Sequence, residues 1–214
     1  MTDLAGPERP AGSRDDVVAG DAARLVDEED AGGGTHAIQG TRPALGRGSG
    51  AAYAGRVTSI HAAPVSEIPP LTLYEILRLR VDVFVVEQEC PYPELDGRDV
   101  EPTALHLWAT DGDRVVATVR LLHDPEGRGE DRRIGRVATA PDARGRGVAG
   151  ELMRRALELC ADRPADDTAA PAARTVRLDA QSHLSGWYGR FGFTTDGPEF
   201  LEDGIPHVPM VRTV

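Results

Sequence analysis

The chain contains no lysine among its 214 residues, and all 24 of its basic side chains are arginine. The phosphate-binding lysine of a P-loop is therefore excluded. Cysteine is nearly as scarce, since only Cys90 and Cys160 are present. Two cysteines make a disulfide framework unexpected, and without clustered histidines they form no zinc site, so we expect no metal.

Long apolar runs and an excess of positive charge are also missing. No run of about eighteen apolar residues occurs, so no transmembrane helix is expected. The N-terminus lacks the charged-then-apolar order of a signal peptide, which favours the cytoplasm. The formal net charge of -11 argues against a general nucleic-acid-binding protein and against a protein of anionic membranes, because both need a basic face.

Large side chains are rare in the first quarter of the chain. Residues 1–55 are rich in Gly, Ala, Asp and Pro, and Tyr53 is their first aromatic residue. Such a segment buries too little apolar surface to offset its chain entropy. We therefore predict a disordered low-complexity tail over residues 1–55 and one folded domain over residues 56–214, with a second Ala/Asp/Pro-rich stretch at residues 161–173 interpreted as a linker.

The folded part is predicted to mix helices and strands, from apolar periodicity and turn signals. The predicted strands are residues 57–60, 105–110, 115–122, 133–140, 175–180, 193–194 and 208–213. The predicted helices are residues 71–85, 148–160 and 183–191. Thr72 is the expected N-cap of the first helix, and Asp111-Gly112-Asp113 is the expected hairpin turn because Asp-Gly supplies a positive φ.

A glycine-rich turn joins a strand to the second helix. Its sequence is Arg144-Gly145-Arg146-Gly147-Val148-Ala149, and the helix begins within it. The first N–H groups of a helix have no intrahelical partner and the helix dipole adds positive charge there, so an anion is a natural ligand. The glycines let a diphosphate approach the main chain. We interpret residues 144–149 as a phosphate turn, with a merely tight connection as the alternative.

Two motifs resemble the signatures of the GNAT acyltransferase superfamily: R-x-x-G-x-A at residues 144–149 and Y-x-x-x-G-F at residues 188–193. Five further segments resemble the ElaA subfamily, in the same order along the chain. They are residues 80–88, Cys90-Pro91-Tyr92, Asp96-Gly97-x-Asp99, Ala180-Gln181-x-His183-Leu184 and Asp203-Gly204-Ile205-Pro206-His207. The resemblance extends over about residues 66–214.

The resemblance implies an α/β (α+β) fold, with a mixed, mostly antiparallel twisted sheet that is splayed in the middle and flanked by helices. It implies acetyl-CoA as co-substrate and no metal. In similar enzymes the pantetheine arm lies along the strand before the turn, and the pyrophosphate rests on the turn. The residues implied for acetyl-CoA binding are Val137, Ala138, Thr139, Ala140, Arg144, Gly145, Arg146, Gly147, Val148, Ala149 and Tyr188.

The reaction implied is direct transfer of an acetyl group to a primary amine. Such transfer requires a neutral amine, a stabilised oxyanion and a proton for the departing thiolate. Tyr188 matches the tyrosine that protonates the thiolate in similar enzymes, with a core aromatic as the alternative. Glu87 and His207 are the leading candidates for the base. The full set left open for that role is Glu87, Asp96, Asp99, His106, His183 and His207.

Five further residues each have two interpretations. Asp96 and Asp99 bind a cationic substrate or form a turn, and the turn is favoured. Arg80 and Arg136 pair with acids around the acceptor site or bind a substrate carboxylate. Cys90 is interpreted as inert rather than as an acyl-enzyme nucleophile, because no histidine adjoins it.

The acceptor is not defined by the sequence. A small-molecule or peptide amine is the expected partner, a homodimer is an open alternative, and neither nucleic acid nor a membrane is expected. Two other functions stay open. An acyl-homoserine-lactone-synthase-like enzyme is suggested by Arg80-x-x-x-Phe84 with Asp96 and Asp99, and a non-catalytic acyl-CoA-binding protein would use the same fold.

Overall fold

The computed structural model describes residues 58–124, 131–162 and 174–214. The expected tail and nearly all of the expected linker lie outside these residues, so the domain boundary stays a prediction. The strands are β1 (Thr58–Ala63), β2 (Leu105–Asp111), β3 (Arg114–His123), β4 (Arg132–Thr139), β5 (Thr175–Gln181), β6 (Thr194–Thr195), β7 (Phe200–Glu202) and β8 (Ile205–Thr213). The helices are α1 (Pro70–Arg80), a π-helical segment that continues it (Val81–Glu87), α2 (Val148–Ala161) and α3 (Ser185–Gly189).

The described strands form one mixed sheet. Its order is β1-β2-β3-β4-β5-β8-β6, with β7 also paired to β8. Every pairing is antiparallel except that of β4 with β5. Almost all of β3 is buried on both faces, with α1 and α2 packed against it, so helices flank the centre of the sheet. The predicted mostly antiparallel architecture is confirmed.

The sheet opens between its two parallel strands. β4 and β5 pair only through Arg132 with Val176 and Arg133 with Arg177. Beyond these two pairs β5 stays paired with β8 as far as Gln181, whereas β4 stays paired with β3. The facing edges of β4 and β5 therefore separate, and this is the splayed centre that the resemblance implied.

Three local predictions needed correction. Thr72 is not the N-cap of α1; Pro69 occupies that position and Pro70 follows at the first helical position, where its missing N–H costs nothing. The helix predicted at residues 183–191 is shorter, because a 3-10 turn (Ser182–Leu184) precedes α3. β7 was not predicted, since three exposed residues carry no periodic signal. The β2–β3 hairpin is confirmed, with Gly112 at φ 64.

Candidate active site

The phosphate turn has the open main chain that its sequence suggested. Gly145 and Gly147 have φ values of 70 and 76, a left-handed conformation that favours glycine. Gly147 is the N-cap of α2, and the first helical hydrogen bond joins Glu151 N to Gly147 O at 3.1 Å. The preceding N–H groups of α2 thus have no intrahelical acceptor. A Cβ at either glycine would meet no atom within 4 Å, so the space beside the turn is open.

The Arg144 side chain supports the turn from inside the protein. Its Nε donates to Thr139 O at 3.1 Å, and its two Nη atoms donate to the carboxylate of Glu87 at 2.7 Å each. One guanidinium thereby connects the end of β4, the turn and the end of the π-helical segment. Because the Arg144 guanidinium is occupied by these partners, it contributes to an anion site by holding the main chain of the turn in place.

A groove of about 1090 Å³ runs beside the turn between α2 and the segment after α3, and we call it the α2 groove. It begins at Gly147, and the guanidinium groups of Arg154, Arg190 and Arg212 line it. Arg212 also donates to the Phe191 carbonyl, which fixes its direction. Three cations beside a helix N-terminus form a setting suited to further phosphate groups.

The central cleft, about 1020 Å³ in volume, occupies the opening between β4 and β5. Side chains from the π-helical segment, β4, β5, α3 and β8 meet in it; they include Phe84, Val137, Gln181, Tyr188 and His207. Five successive residues of β4, numbers 133–137, line the cleft, although a regular strand would turn every second side chain away. The strand is therefore irregular where it borders the cleft.

The β4 residues that were expected to bind the cofactor do not all direct their main-chain N–H and C=O groups to the same side. Ala140 N donates to Val116 O at 2.8 Å, and Ala138 is two residues earlier in the same ladder, opposite Thr118. Alternation therefore directs the main-chain groups of Ala138 and Ala140 toward β3 and those of Thr139 away from it, where Thr139 O accepts from Arg144 Nε, while Val137 lines the cleft. The N–H of Ala140 is thus occupied by β3, and pairing of the pantetheine arm with this strand stays a prediction.

Tyr188 lies on α3 and lines the central cleft. Its ring meets Trp187 edge-on at a centroid distance of 4.8 Å and Phe193 at 6.2 Å. Burial raises the pKa of this phenol above its ordinary value, so the group is protonated at neutral pH. Tyr188 is thus both a core aromatic and a proton donor beside the cleft.

His207 lies on β8 and also lines the cleft. Its Nδ1 is 2.9 Å from Ile205 O, a carbonyl that can only accept, so Nδ1 carries the proton and Nε2 is the basic nitrogen of the neutral ring. The ring stacks on Phe200 at 5.9 Å, and Nε2 is 3.9 Å from the Glu202 carboxylate. Glu87, by contrast, is not among the residues that line the cleft, and Arg144 occupies its carboxylate.

Six buried or half-buried charges form a network beneath the cleft, which we call the arginine–carboxylate network. Arg80 is fully buried; it donates to Glu94 at 2.5 Å and to both carboxylate oxygens of Asp99 at 2.6 and 3.2 Å. Arg120 donates to Asp96 at 2.8 and 2.6 Å and to Asp99 at 3.0 Å. The members are Arg80, Glu94, Asp96, Asp99, Arg120 and Arg136.

The network makes Asp96 and Asp99 poor proton acceptors. Burial alone would raise the pKa values of Asp96 and Asp99, but hydrogen bonds from Arg120 and Arg80 hold both pKa values below their ordinary range. Asp96 also accepts from Arg98 N at 3.0 Å, so the expected turn is present in addition to the ion pairs. Arg80 and Arg136 pair with acids, as one of their two interpretations required.

The remaining candidate residues, His106, His183 and Cys90, lie outside the network. His106 is fully buried with Nε2 on Asp99 O at 3.1 Å, and burial lowers its pKa. His183 is exposed on the 3-10 turn before α3. Cys90 lines the cleft and donates to Asp203 O at 3.5 Å, and burial, together with the neighbouring acids, raises its pKa, so it stays a thiol.

Sequence reasoning missed Glu94 and Arg120. Glu94 is 3% exposed and lies under Tyr92, whose hydroxyl donates to it. Nothing about its position between turn residues marks it as buried. Arg120 did carry a signal, because a charged residue inside the apolar run of β3 needs a buried partner.

Neither a metal cluster nor a membrane span is found in the described ranges. No group of three His, Cys, Asp or Glu side chains there is arranged to hold a metal ion. No helix in the described part of the chain is long and apolar enough to cross a membrane.

The chain matches a family and curated proteins of similar length. The model of the acetyltransferase (GNAT) domain matches residues 79–214. A UPF0039 protein of Mycobacterium tuberculosis is 48% identical over 141 residues, which cover 65% of this chain and 83% of that protein. Protein ElaA of Escherichia coli is 39% identical over 149 residues, which cover 70% of this chain and 92% of ElaA.

Solved structures share the fold. An acyl-CoA N-acyltransferase from Pseudomonas aeruginosa is 40% identical with a TM-score of 0.63, covering 73% of this chain and 99% of that one. The crystal structure of Escherichia coli ElaA is 36% identical with a TM-score of 0.64 and the same coverage of both chains. A CoA-dependent acyl-homoserine lactone synthase is 21% identical with a TM-score of 0.58, covering 73% and 83%, which is a likeness of fold alone.

Proposed function

Because this chain belongs to the acetyltransferase (GNAT) domain family, we propose that it is an N-acetyltransferase that moves an acetyl group from acetyl-CoA directly to a primary amine. One observation carries the proposal. The edge of β4 that faces the opening ends at the phosphate turn, and the cleft along that edge contains the buried phenol of Tyr188. A donor binding site and a proton donor therefore share one strand edge.

Acetyl-CoA is expected to bind by main-chain contacts and by charge. The amide groups of the pantetheine arm would pair with the main chain of Val137, which lines the cleft, and with the N–H of Thr139, whose carbonyl accepts from Arg144. The diphosphate would rest on the phosphate turn, through the main-chain N–H groups of residues 144–149 and the first turn of α2. The ribose phosphate would reach the arginines of the α2 groove.

Acid–base chemistry is assigned to two side chains of the cleft. Tyr188 would donate the proton that the thiolate takes as it leaves, because its raised pKa keeps the phenol protonated. His207 is favoured over Glu87 as the base that receives the amine proton. Its Nε2 carries the lone pair and it lines the cleft, whereas the Glu87 carboxylate is held by Arg144.

The two alternative functions have less support. The residues that suggested an acyl-homoserine-lactone synthase, Arg80, Asp96 and Asp99, are paired with one another or with Arg120. A non-catalytic acyl-CoA-binding protein would not need a protonated phenol in the cleft. A cytoplasmic location and a homodimer stay predictions.

Two measurements test the proposal. Calorimetry should detect acetyl-CoA binding to the folded protein. A panel of polyamines, amino acids and peptide N-termini, assayed by CoA release, should contain at least one amine that is acetylated. Folded protein that does not bind acetyl-CoA would contradict the proposal. Binding without turnover on any amine would instead favour the non-catalytic alternative, and homoserine-lactone formation from S-adenosylmethionine would favour the synthase.

A further inference from the structure

Arg136 has a main-chain conformation that its residue type does not favour. Three non-glycine residues of the described ranges have a positive φ: Glu89 (52), Arg136 (54) and Asp203 (50). Glu89 and Asp203 lie in connections, whereas Arg136 lies inside β4. A left-handed conformation is costly for an L-residue with a side chain, so it persists only where neighbouring contacts impose it.

This conformation creates a bulge in β4. Thr118 pairs with Ala138, but Arg120 pairs with Gly135, so Val119 is opposite two residues, Arg136 and Val137. A bulge inserts one residue and shifts the strand by one position, which reverses the faces of all side chains on one side of it. The bulge accounts for the two adjacent residues Arg136 and Val137 both lining the central cleft. It also sets the direction of the peptide at Val137.

Contacts from outside β4 hold the Arg136 side chain. Its Nε is 3.0 Å from the Glu94 carboxylate, and one Nη donates to Asp96 at 3.2 Å and to Glu94 O at 3.4 Å. The guanidinium carbon is 5.6 Å from the centre of the Tyr92 ring. Tyr92, Glu94 and Asp96 lie in the connection between the π-helical segment and β2, which we call the anchoring loop (residues 88–104).

The anchors are themselves fixed. Glu94 accepts from fully buried Arg80, and Asp96 accepts two hydrogen bonds from Arg120. Arg136 is therefore attached to a rigid part of the protein rather than to a mobile surface group. Its guanidinium donates to two acceptors, forms an ion pair with Glu94 and meets an aromatic face within the protein, which leaves it a poor candidate for binding a substrate carboxylate.

We propose that Arg136 is a positioning residue: its ion pairs with Glu94 and Asp96 fix the bulge of β4, and the bulge directs the main chain at Val137 into the acyl-transfer cleft. The inference rests on the proposed function for its kinetic consequence. Its structural part, that the anchor offsets the cost of a left-handed conformation for a residue with a side chain, stands without it.

The test compares Arg136→Gly with Arg136→Ala. Both variants lose the anchored side chain, but glycine adopts a positive φ at little cost and alanine does not. Both should fold, because Glu94 keeps Arg80 and Asp96 keeps Arg120. The glycine variant should retain kcat within about threefold, while the alanine variant should lose about tenfold in kcat, the size expected from the cost of a left-handed L-residue.

Two further measurements separate a positioning role of Arg136 from a general loss of structure. Acetyl-CoA affinity should be kept in the glycine variant and should fall only moderately in the alanine variant, which misdirects the main chain at Val137 but leaves the phosphate turn with its own support from Arg144. Crystal structures should show a positive φ at residue 136 in the glycine variant and a regular or shifted strand in the alanine variant.

Two outcomes would overturn the inference. Equal losses of kcat in the two variants would mean that the guanidinium itself contacts the substrate. Equal retention, with a positive φ in both crystal structures, would mean that the sheet imposes the bulge without the anchor. If the wild-type protein acetylates no amine, the proposed function fails, yet the two crystal structures still decide whether the anchor fixes the bulge.

Discussion

The phosphate turn and the arginine–carboxylate network both depend on arginine, but they use it in opposite ways. In the turn, Arg144 is committed to Thr139 O and Glu87, and main-chain N–H groups are left for a ligand. In the network, the arginines pair with buried carboxylates and so connect α1, β3 and β4 to the anchoring loop. Binding at the donor site therefore depends on main-chain conformation, whereas the framework of the cleft depends on ion pairs.

This difference predicts that substitutions fall into separate classes. Changes to main-chain conformation or charge at the turn should alter acetyl-CoA affinity. Changes to the network should alter stability, and changes to side chains that line the cleft should alter turnover.

Removing the central cation of the network should have the largest effect. Arg80→Met leaves Glu94 and Asp99 buried with a partner missing, and we expect a loss of about 3 kcal/mol or more in the free energy of unfolding. Arg78→Met is the matched control, since Arg78 is on the same helix but exposed and its ion pairs should contribute far less to stability. Urea unfolding measures both. Similar small losses would contradict a structural role for the network.

Removing the Tyr188 hydroxyl should affect turnover alone. Tyr188→Phe keeps the ring contacts with Trp187 and Phe193 but removes the proton donor, so kcat should fall by about a hundredfold while acetyl-CoA affinity is kept. The control is Tyr74→Phe, which changes an exposed tyrosine. Steady-state kinetics and calorimetry supply the two numbers. Unchanged kcat would remove the acid role from Tyr188.

His207→Gln and Glu87→Gln should separate the two candidate bases. The first should lower kcat/KM about tenfold near neutral pH, a modest loss because water can also accept the amine proton. The second should weaken acetyl-CoA binding slightly, since it disturbs the support of Arg144. A pH–rate profile of each variant checks the assignment. The reverse pattern, with turnover lost at Glu87 and affinity unaffected, would make Glu87 the base.

Acid should weaken the network gradually. The pKa values of Asp96 and Asp99 are held low in the folded protein by Arg120 and Arg80, so below about pH 4 the unfolded chain binds more protons than the folded one. The free energy of unfolding should then fall as the pH drops through this range. Asp96→Asn should make the fall shallower in urea titrations at several pH values. An identical slope would show that Asp96 does not contribute to it.

The phosphate turn and the arginine–carboxylate network also differ in how far the sequence could predict them. The phosphate turn and the Y-x-x-x-G-F segment are local, so six adjacent residues were enough to locate the turn and the start of α2. Pairing of Arg80 and Arg136 with acids was one of two interpretations, but the identity of the partners could not be predicted, because the contacts join residues far apart, such as Arg80 with Glu94 and Arg120 with Asp96. No local rule encodes such pairing.

The bulge of β4 shows this limit most clearly. Gly135 is the residue that a sequence reading would choose for an unusual main-chain conformation, yet the positive φ falls on Arg136. The choice depends on where Glu94 and Asp96 place the guanidinium, and those residues belong to the anchoring loop. Tertiary charge pairing thus overrides the local preference of the chain.

Binding of acetyl-CoA by the main chain of the phosphate turn is tested directly by two variants. Acetyl-CoA affinity is compared between Gly147→Asp and Gly147→Asn. Both side chains strain the left-handed position equally, with φ 76, but only aspartate adds a negative charge beside the diphosphate. Calorimetry should show acetyl-CoA affinity reduced about a hundredfold further in the aspartate variant than in the asparagine variant. Equal affinities in two folded variants would place the diphosphate elsewhere.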